Sequence, residues 1–189
     1  SIATCLEKGR QVLVLLPEIA LTPQTLARFE ARFDAPVVAL HSGIGDAARD
    51  RAWAAARSGK TAIILGTRSA VFVPLDKPGL IIVDEEHDAA FVQQDGLRYS
   101  ARDVAIKRAQ LENCPVILGS ATPSLESWLN ADRNRYQRHI LSKRAGTSVP
   151  PTQRLIDIRG LELTAGLSPD LLNETERTLR SGNQVLLFL

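Results

Sequence analysis

Five short runs in the first two-thirds of the chain are continuously apolar: "QVLVLL", "PVVAL", "TAIILG", "GLIIV" and "PVILG". They are rich in Val, Ile and Leu and do not alternate with polar residues. Strands buried on both faces of a parallel sheet read this way, whereas a strand with one wet face alternates. Helical stretches lie between most of the runs. Thr22-Pro23 opens one, with Thr as N-cap, Pro at the first helical position, and Leu26, Phe29 and Phe33 on one face. Asp46 is placed to cap a second, in which Ala48, Ala52 and Trp53 line a face. Ser100 with Asp103 forms a capping pair ahead of Ala101, Val104, Ala105 and Leu111, and Thr122-Pro123 opens a short helix reaching about Asn130. The alternation predicts an α/β domain with a doubly wound parallel sheet.

Charge marks where that domain ends. Net charge is only +2, yet residues 133–159 hold seven Lys or Arg against Asp157 alone. Residues 1–132 are therefore read as the first domain and 133–166 as a basic linker holding one strand-like piece, "RLIDIR". Residues 167–189 begin a second α/β unit, with a helix capped at Ser168-Pro169 and an apolar strand over 184–189. A basic segment of this kind suits a polyanion partner, and equally a solvated linker. No apolar run has the length of a membrane helix, and the first residues lack the pattern of a secretory signal. Cys5 and Cys114 stand alone, so no zinc site or disulfide framework is expected.

"RSGKT", residues 57–61, resembles the tail of the phosphate-binding pattern G-x-x-x-x-G-K-[ST]. The pattern's first Gly is Ala54 here, and the order is helix then strand, the reverse of a phosphate loop. Gly59 is expected to end the helix in a left-handed conformation instead.

The stronger signal is "LIIVDEEHD", Leu80 to Asp88. A buried strand that delivers carboxylates and a His at its C-terminal end places them where open α/β sheets bind ligands. Asp84 directly after the apolar strand is suited to Mg2+ on nucleotide phosphates, and Glu85 to polarising an attacking water. A solvated acidic strand end is the bland alternative. "PEIALTPQT" (17–25), "GTRSA" (66–70) and "GSATPS" (119–124) follow other strands and are expected on the same sheet edge.

The combination of D-E-x-H with S-A-T some thirty residues later resembles the superfamily 2 helicases. "PEIALTPQT", "GTRSA", "DEEHD", "QQDGLRYSARD" and "GSATPSLES" are similar, more narrowly, to the bacterial primosomal replication-restart helicases. The resemblance covers essentially the whole chain. It implies a RecA-like domain followed by the start of a second, and an ATP- and Mg2+-dependent 3′–5′ DNA helicase of replication restart in the bacterial cytoplasm. Asp84 would hold Mg2+ and Glu85 activate water. His87, Ser120, Ala121 and Thr122 would couple nucleotide state to domain movement. Pro17, Glu18, Thr22, Thr67, Arg68 and Ser69 would contact one DNA strand. Phe91, Gln93, Gln94, Arg98 and Tyr99 fall in a loop that senses single-stranded DNA, with Phe91 and Tyr99 as stacking rings and Leu97 where a further aromatic is expected.

Single-stranded and forked DNA, single-strand-binding protein and other primosome proteins are the implied partners. The resemblance also places the phosphate loop before Ser1, and the later motifs and zinc-binding cysteines after Leu189. The chain is thus expected to be a segment that does not hydrolyse ATP by itself, with Zn2+ held elsewhere. Two alternatives remain: another superfamily 2 translocase, against which the Gln-Gln-Asp-Gly loop argues, and a non-catalytic single-stranded DNA-binding module.

Overall fold

In the computed structural model the described residues are 1–142 and 151–188. The chain divides into two units, Ser1–Arg138 and His139–Leu189. The first runs α1 (Ile2–Glu7), β1 (Gln11–Leu15), α2 (Pro23–Arg32), β2 (Val37–Leu40), α3 (Asp46–Arg57), β3 (Ile63–Gly66), β4 (Pro78–Asp84), β5 (Val92–Gln93), β6 (Tyr99–Ser100), α4 (Ala101–Leu111), β7 (Val116–Gly119) and α5 (Leu125–Asp132).

Five of these strands form one sheet in the order β2-β3-β1-β4-β7, with every neighbouring pair parallel. All residues of β1 are buried, as the continuous apolar run requires of a central strand. Successive side chains leave a strand on opposite faces, so the run supplies two cores at once. Leu13 and Leu15 join Ile64, Ile81 and Val83 under α3 and α4, through Ala52, Ala56, Ala101, Ala105 and Ala109. Val12, Val14 and Leu16 join Ile63, Leu65 and Leu80 on the other face, against Leu6, Leu26, Phe29 and Phe33 of α1 and α2. Helices on both faces make the sheet doubly wound.

Thr22, Ser100 and Ser168 cap their helices as expected, accepting from the N–H of Thr25, Asp103 and Leu171. Other expectations need correction. The cap of α3 is Gly45, and Asp46 is its first helical residue, where a carboxylate still favours the positive helix end. The helix expected from Thr122-Pro123 begins at Leu125 with Ser124 as its cap, because that hydroxyl reaches the N–H of Ser127. Leu111 is 74% exposed. The buried stripe of α4 falls on three alanines four residues apart, whose small side chains let the helix lie close to the sheet.

In the second unit, α6 (Pro169–Arg180) forms, and Thr164 and Leu167 make an isolated antiparallel bridge. "RLIDIR" and residues 184–188 are not strands. A strand exists only where a neighbour completes its ladder, and no described segment pairs with either.

"RSGKT" does end a helix. Gly59 has φ +71°, and its N–H donates to Ala56 O at 3.2 Å. A buried side chain that sequence reasoning passed over pins the same stretch. Gln11 Nε2 donates to Ala56 O (2.9 Å) and Thr61 O (2.7 Å). Its Oε1 accepts from the N–H of Asp76 (2.7 Å) and Lys77 (3.0 Å). One amide thus satisfies four backbone groups: one in the last turn of α3, one just before β3 and two just before β4. Gln11→Leu keeps the bulk and strands these groups, each unmet buried partner costing about 1–3 kcal/mol. The variant is expected to lower unfolding free energy by about 3 kcal/mol or more in urea denaturation.

Candidate active site at the carboxyl edge of the sheet

Because the five strands are parallel, the segments after β1, β3, β4 and β7 open on one edge. That edge collects "PEIALT", "TRSA", "EEHD" and "SATPS", which sequence places up to a hundred residues apart.

The turn after β4 is tight. Asp84 accepts from the N–H of Glu85 (3.2 Å), and Glu85 O accepts from the N–H of Asp88 (2.8 Å). Glu85 has φ +49°, in the left-handed region that costs a non-glycine residue energy. Asp84 is exposed and Glu85 half-buried. A Cβ on Gly119 would lie 3.2 Å from Asp84 Oδ1, so glycine at the end of β7 leaves room around that carboxylate.

His87 meets the loop after β7. Its Nδ1 lies 2.7 Å from Ser120 Oγ and 3.6 Å from Glu85 Oε2, and its Nε2 lies 3.4 Å from Thr122 Oγ1. Ser120 Oγ also accepts from the N–H of Thr122 at 3.0 Å. The structure thus brings together four expected site residues from two loops.

Glu86 is the residue that sequence reasoning missed. Only 3% exposed, its carboxylate accepts from Ser124 N–H (2.7 Å), Ser124 Oγ (3.0 Å), Ser127 Oγ (2.9 Å) and Arg102 Nη1 (3.2 Å). Burial alone raises its pKa, but the hydrogen bonds from Ser124, Ser127 and Arg102 outweigh burial and hold it below the ordinary glutamate value. The stabilisation from this group is therefore fully present above that ordinary value and is lost as pH falls through the depressed one. Arg102 moves the opposite way: burial lowers its pKa, but its bonds to Asp103 and Glu86 raise it further.

Residues 92–100 form a small antiparallel hairpin, β5 with β6. Gly96 turns it with φ +65°, Gln93 Nε2 donates to Asp95 O (2.7 Å), and Arg98 Nε donates to Gln94 O (3.2 Å). Val92, Gln93, Gln94, Asp95, Arg98 and Tyr99 line an open groove on it. Arg68, from the loop after β3, donates to Ala90 O (3.3 Å) and Val92 O (3.0 Å) and so fastens the hairpin's entry.

Three expected DNA-contacting positions are buried in this structure. Phe91 is 1% exposed and belongs to the core, so its ring is not open to stack on a base. Thr67 is buried, and its N–H is spent on Leu40 O at 3.0 Å. Pro17 is buried. The hydroxyl of Thr22 is engaged in capping α2. Glu18, Ser69, Gln94 and Arg98 are exposed, and Tyr99 is half-buried. The second ring near Tyr99 comes from Phe72, 47% exposed, with ring centroids 5.0 Å apart. It does not come from position 97. Its signal lay in "TRSAVF", an aromatic within one short turn of the loop after β3.

Residues 1–130 match the DEAD/DEAH box helicase family. The chain belongs to that family. It is 51% identical to the replication restart protein PriA of Haemophilus influenzae over 97% of its own length, and 41% identical to PriA of Bacillus subtilis over all of it. PriA of Chlamydia muridarum is 46% identical over 95%. The chain spans about a quarter of the length of these curated relatives. Among solved structures, the C-terminal domain of Saccharomyces cerevisiae Dbp5, bound in that structure to Gle1 and IP6, superposes with TM-score 0.50 at 13% identity. It covers 71% of this chain and 75% of that domain. The sheet and its flanking helices are thus the RecA-like fold of helicases.

Two variants separate the roles on this edge. Phe91→Ala removes a core ring and is expected to cost about 3–5 kcal/mol of stability, read by chemical denaturation. Arg68→Ala frees the carbonyls of Ala90 and Val92. Amide exchange in the 90–100 segment is expected to rise about fivefold, as loss of about 1 kcal/mol implies.

Proposed function

We propose that this chain is the motor-core segment of an ATP-dependent 3′–5′ DNA helicase that unwinds forked DNA and helps reload the replisome. The reading is carried by one observation: the acidic turn after β4 meets the Ser120–Thr122 loop through His87. Kinship with the replication restart proteins supports the biological setting. Single-strand-binding protein, other primosome proteins and a cytoplasmic location belong to the same proposal.

Mg2+ usually keeps waters and takes one or two carboxylates plus substrate phosphates. Among the described residues no three His, Cys, Asp or Glu side chains form a metal cluster. Asp84 and Glu85 offer the hard oxygens that such a shared site needs, and Asp84 is the proposed holder. Bound Mg–ATP supplies an activated terminal phosphoryl group. Glu85 orients the attacking water and takes its proton, with its carboxylate placed by the turn. His87 senses the terminal phosphate end of the site and passes its state to Ser120 and Thr122. No residue of this chain is assigned to Zn2+.

DNA is proposed to run across the same edge. Arg68, Ser69 and backbone amides near Glu18 meet phosphates, which fixes position without reading sequence. Tyr99 with Phe72 offers aromatic faces to bases, and stacking tolerates any base. Gln93, Gln94 and Arg98 complete the hairpin surface.

Glu85→Gln in the full-length protein is expected to lower DNA-stimulated ATP hydrolysis by about 100-fold or more, the scale of a lost general base. Nucleotide binding, followed with a fluorescent ATP analogue, is expected to persist. Turnover at the wild-type rate would remove Glu85 from the role of base.

A further inference from the structure

We propose that Glu86 and Arg102 are positioning residues that transmit occupancy of the 92–100 hairpin to the catalytic turn. The inference rests on the reading of Glu85 as base and of the hairpin as the single-strand contact. Neither Glu86 nor Arg102 reaches the edge itself. Glu86 is buried, and Arg102 is 17% exposed at its side chain.

Glu85 holds a left-handed backbone, a conformation that persists only where its surroundings over-determine it. Its neighbour provides the restraint twice. Glu86 N–H donates to Gly119 O at 3.0 Å, which ties the turn to β7. The Glu86 carboxylate collects three donors from the first turn of α5 and one from α4. A carboxylate buried this deeply is tolerable only while those donors stay in place.

Arg102 is the one cation among the four donors to Glu86, and it sits two residues after β6. The same Nη1 that meets Glu86 also donates to Ser124 Oγ at 2.8 Å. Its Nε is held by Asp103 Oδ1 at 2.9 Å. The hairpin's exit strand therefore runs without a break into the residue that neutralises Glu86. A strand of DNA that orders or shifts Tyr99 and Ser100 moves the start of α4, and with it the guanidinium. The change reaches Glu85 through one peptide bond and reaches Ser120–Thr122 through Ser124.

The test uses the full-length protein and an oligodeoxythymidylate. In Arg102→Ala the DNA-stimulated kcat is expected to fall about tenfold, the size of an ordinary coupling between two sites. The affinity for the oligonucleotide is expected to stay at the wild-type value, and the DNA-free rate to fall clearly less than the stimulated one, because loosening Glu86 also loosens the turn that carries Glu85. Arg102→Lys, which keeps the charge but lacks the separate Nε and Nη1 donors that hold Asp103 and Glu86, is expected to fall between. Equal loss of DNA-free and stimulated rates would reduce Arg102 to a structural prop, and intact stimulation would end the proposal.

Hydrogen exchange gives a readout that is independent of Glu85. In the wild type the oligonucleotide is expected to change protection in 92–100 and also in 84–88 and 119–127. In Arg102→Ala only 92–100 is expected to respond. A response of 84–88 in that variant equal to the wild type would overturn the linkage, even if Glu85→Gln proved inactive. Full turnover by Glu85→Gln would instead remove the catalytic reading alone.

Discussion

A strand buried on both faces has no place for a polar side chain except at its ends. The sheet obeys this rule throughout. Val12 to Leu16, Ile63 to Leu65 and Leu80 to Val83 supply both cores, and the charged and hydroxyl groups of interest come at the last residue of a strand, as Asp84 does, or beyond it. Parallel pairing then puts all those ends on the same side. The placing of residues from positions 17, 67, 84 and 120 on one edge follows from the parallel pairing of the sheet. No local preference of the loops needs to be invoked.

Buried polar groups hold the loops at both ends of the sheet. Gln11 fixes the amino ends of β3 and β4, and Glu86 fixes the carboxyl ends of β4 and β7. Both are buried polar side chains with partners on every lone pair or proton that the geometry allows. Such groups are costly if a single partner is lost, and that cost enforces one arrangement of the backbone. Glu85 can carry its unfavourable φ because the residue after it cannot move.

Continuity of the apolar runs made the sheet legible, and Thr22, Ser100 and Ser168 made three helix starts legible, because both signals are local. The reading failed where tertiary packing decides. "DEEHD" shows three acidic side chains in a row, and nothing in their spacing says that Glu86 turns inward while Asp84 faces out. Phe91 and Tyr99 are both rings in one loop, yet only the first is fully buried in the core, while Tyr99 packs at its margin. The strands expected over 154–159 and 184–189 had the right composition but found no partner among the described residues; position 189 lies outside those residues. The linker expected over 133–166 meets a unit boundary at Arg138/His139, and residues 143–150 lie outside the described part.

The central claim is that one sheet edge serves nucleotide and DNA together. A structure of the full-length protein with a non-hydrolysable ATP analogue, Mg2+ and a single-stranded oligonucleotide tests it most directly. The account places the terminal phosphate against Asp84, Glu85 and His87, with the DNA strand on Arg68, Ser69, Phe72 and Tyr99. Nucleotide bound away from the 84–87 turn, or DNA bound on a different face of the sheet, would contradict it.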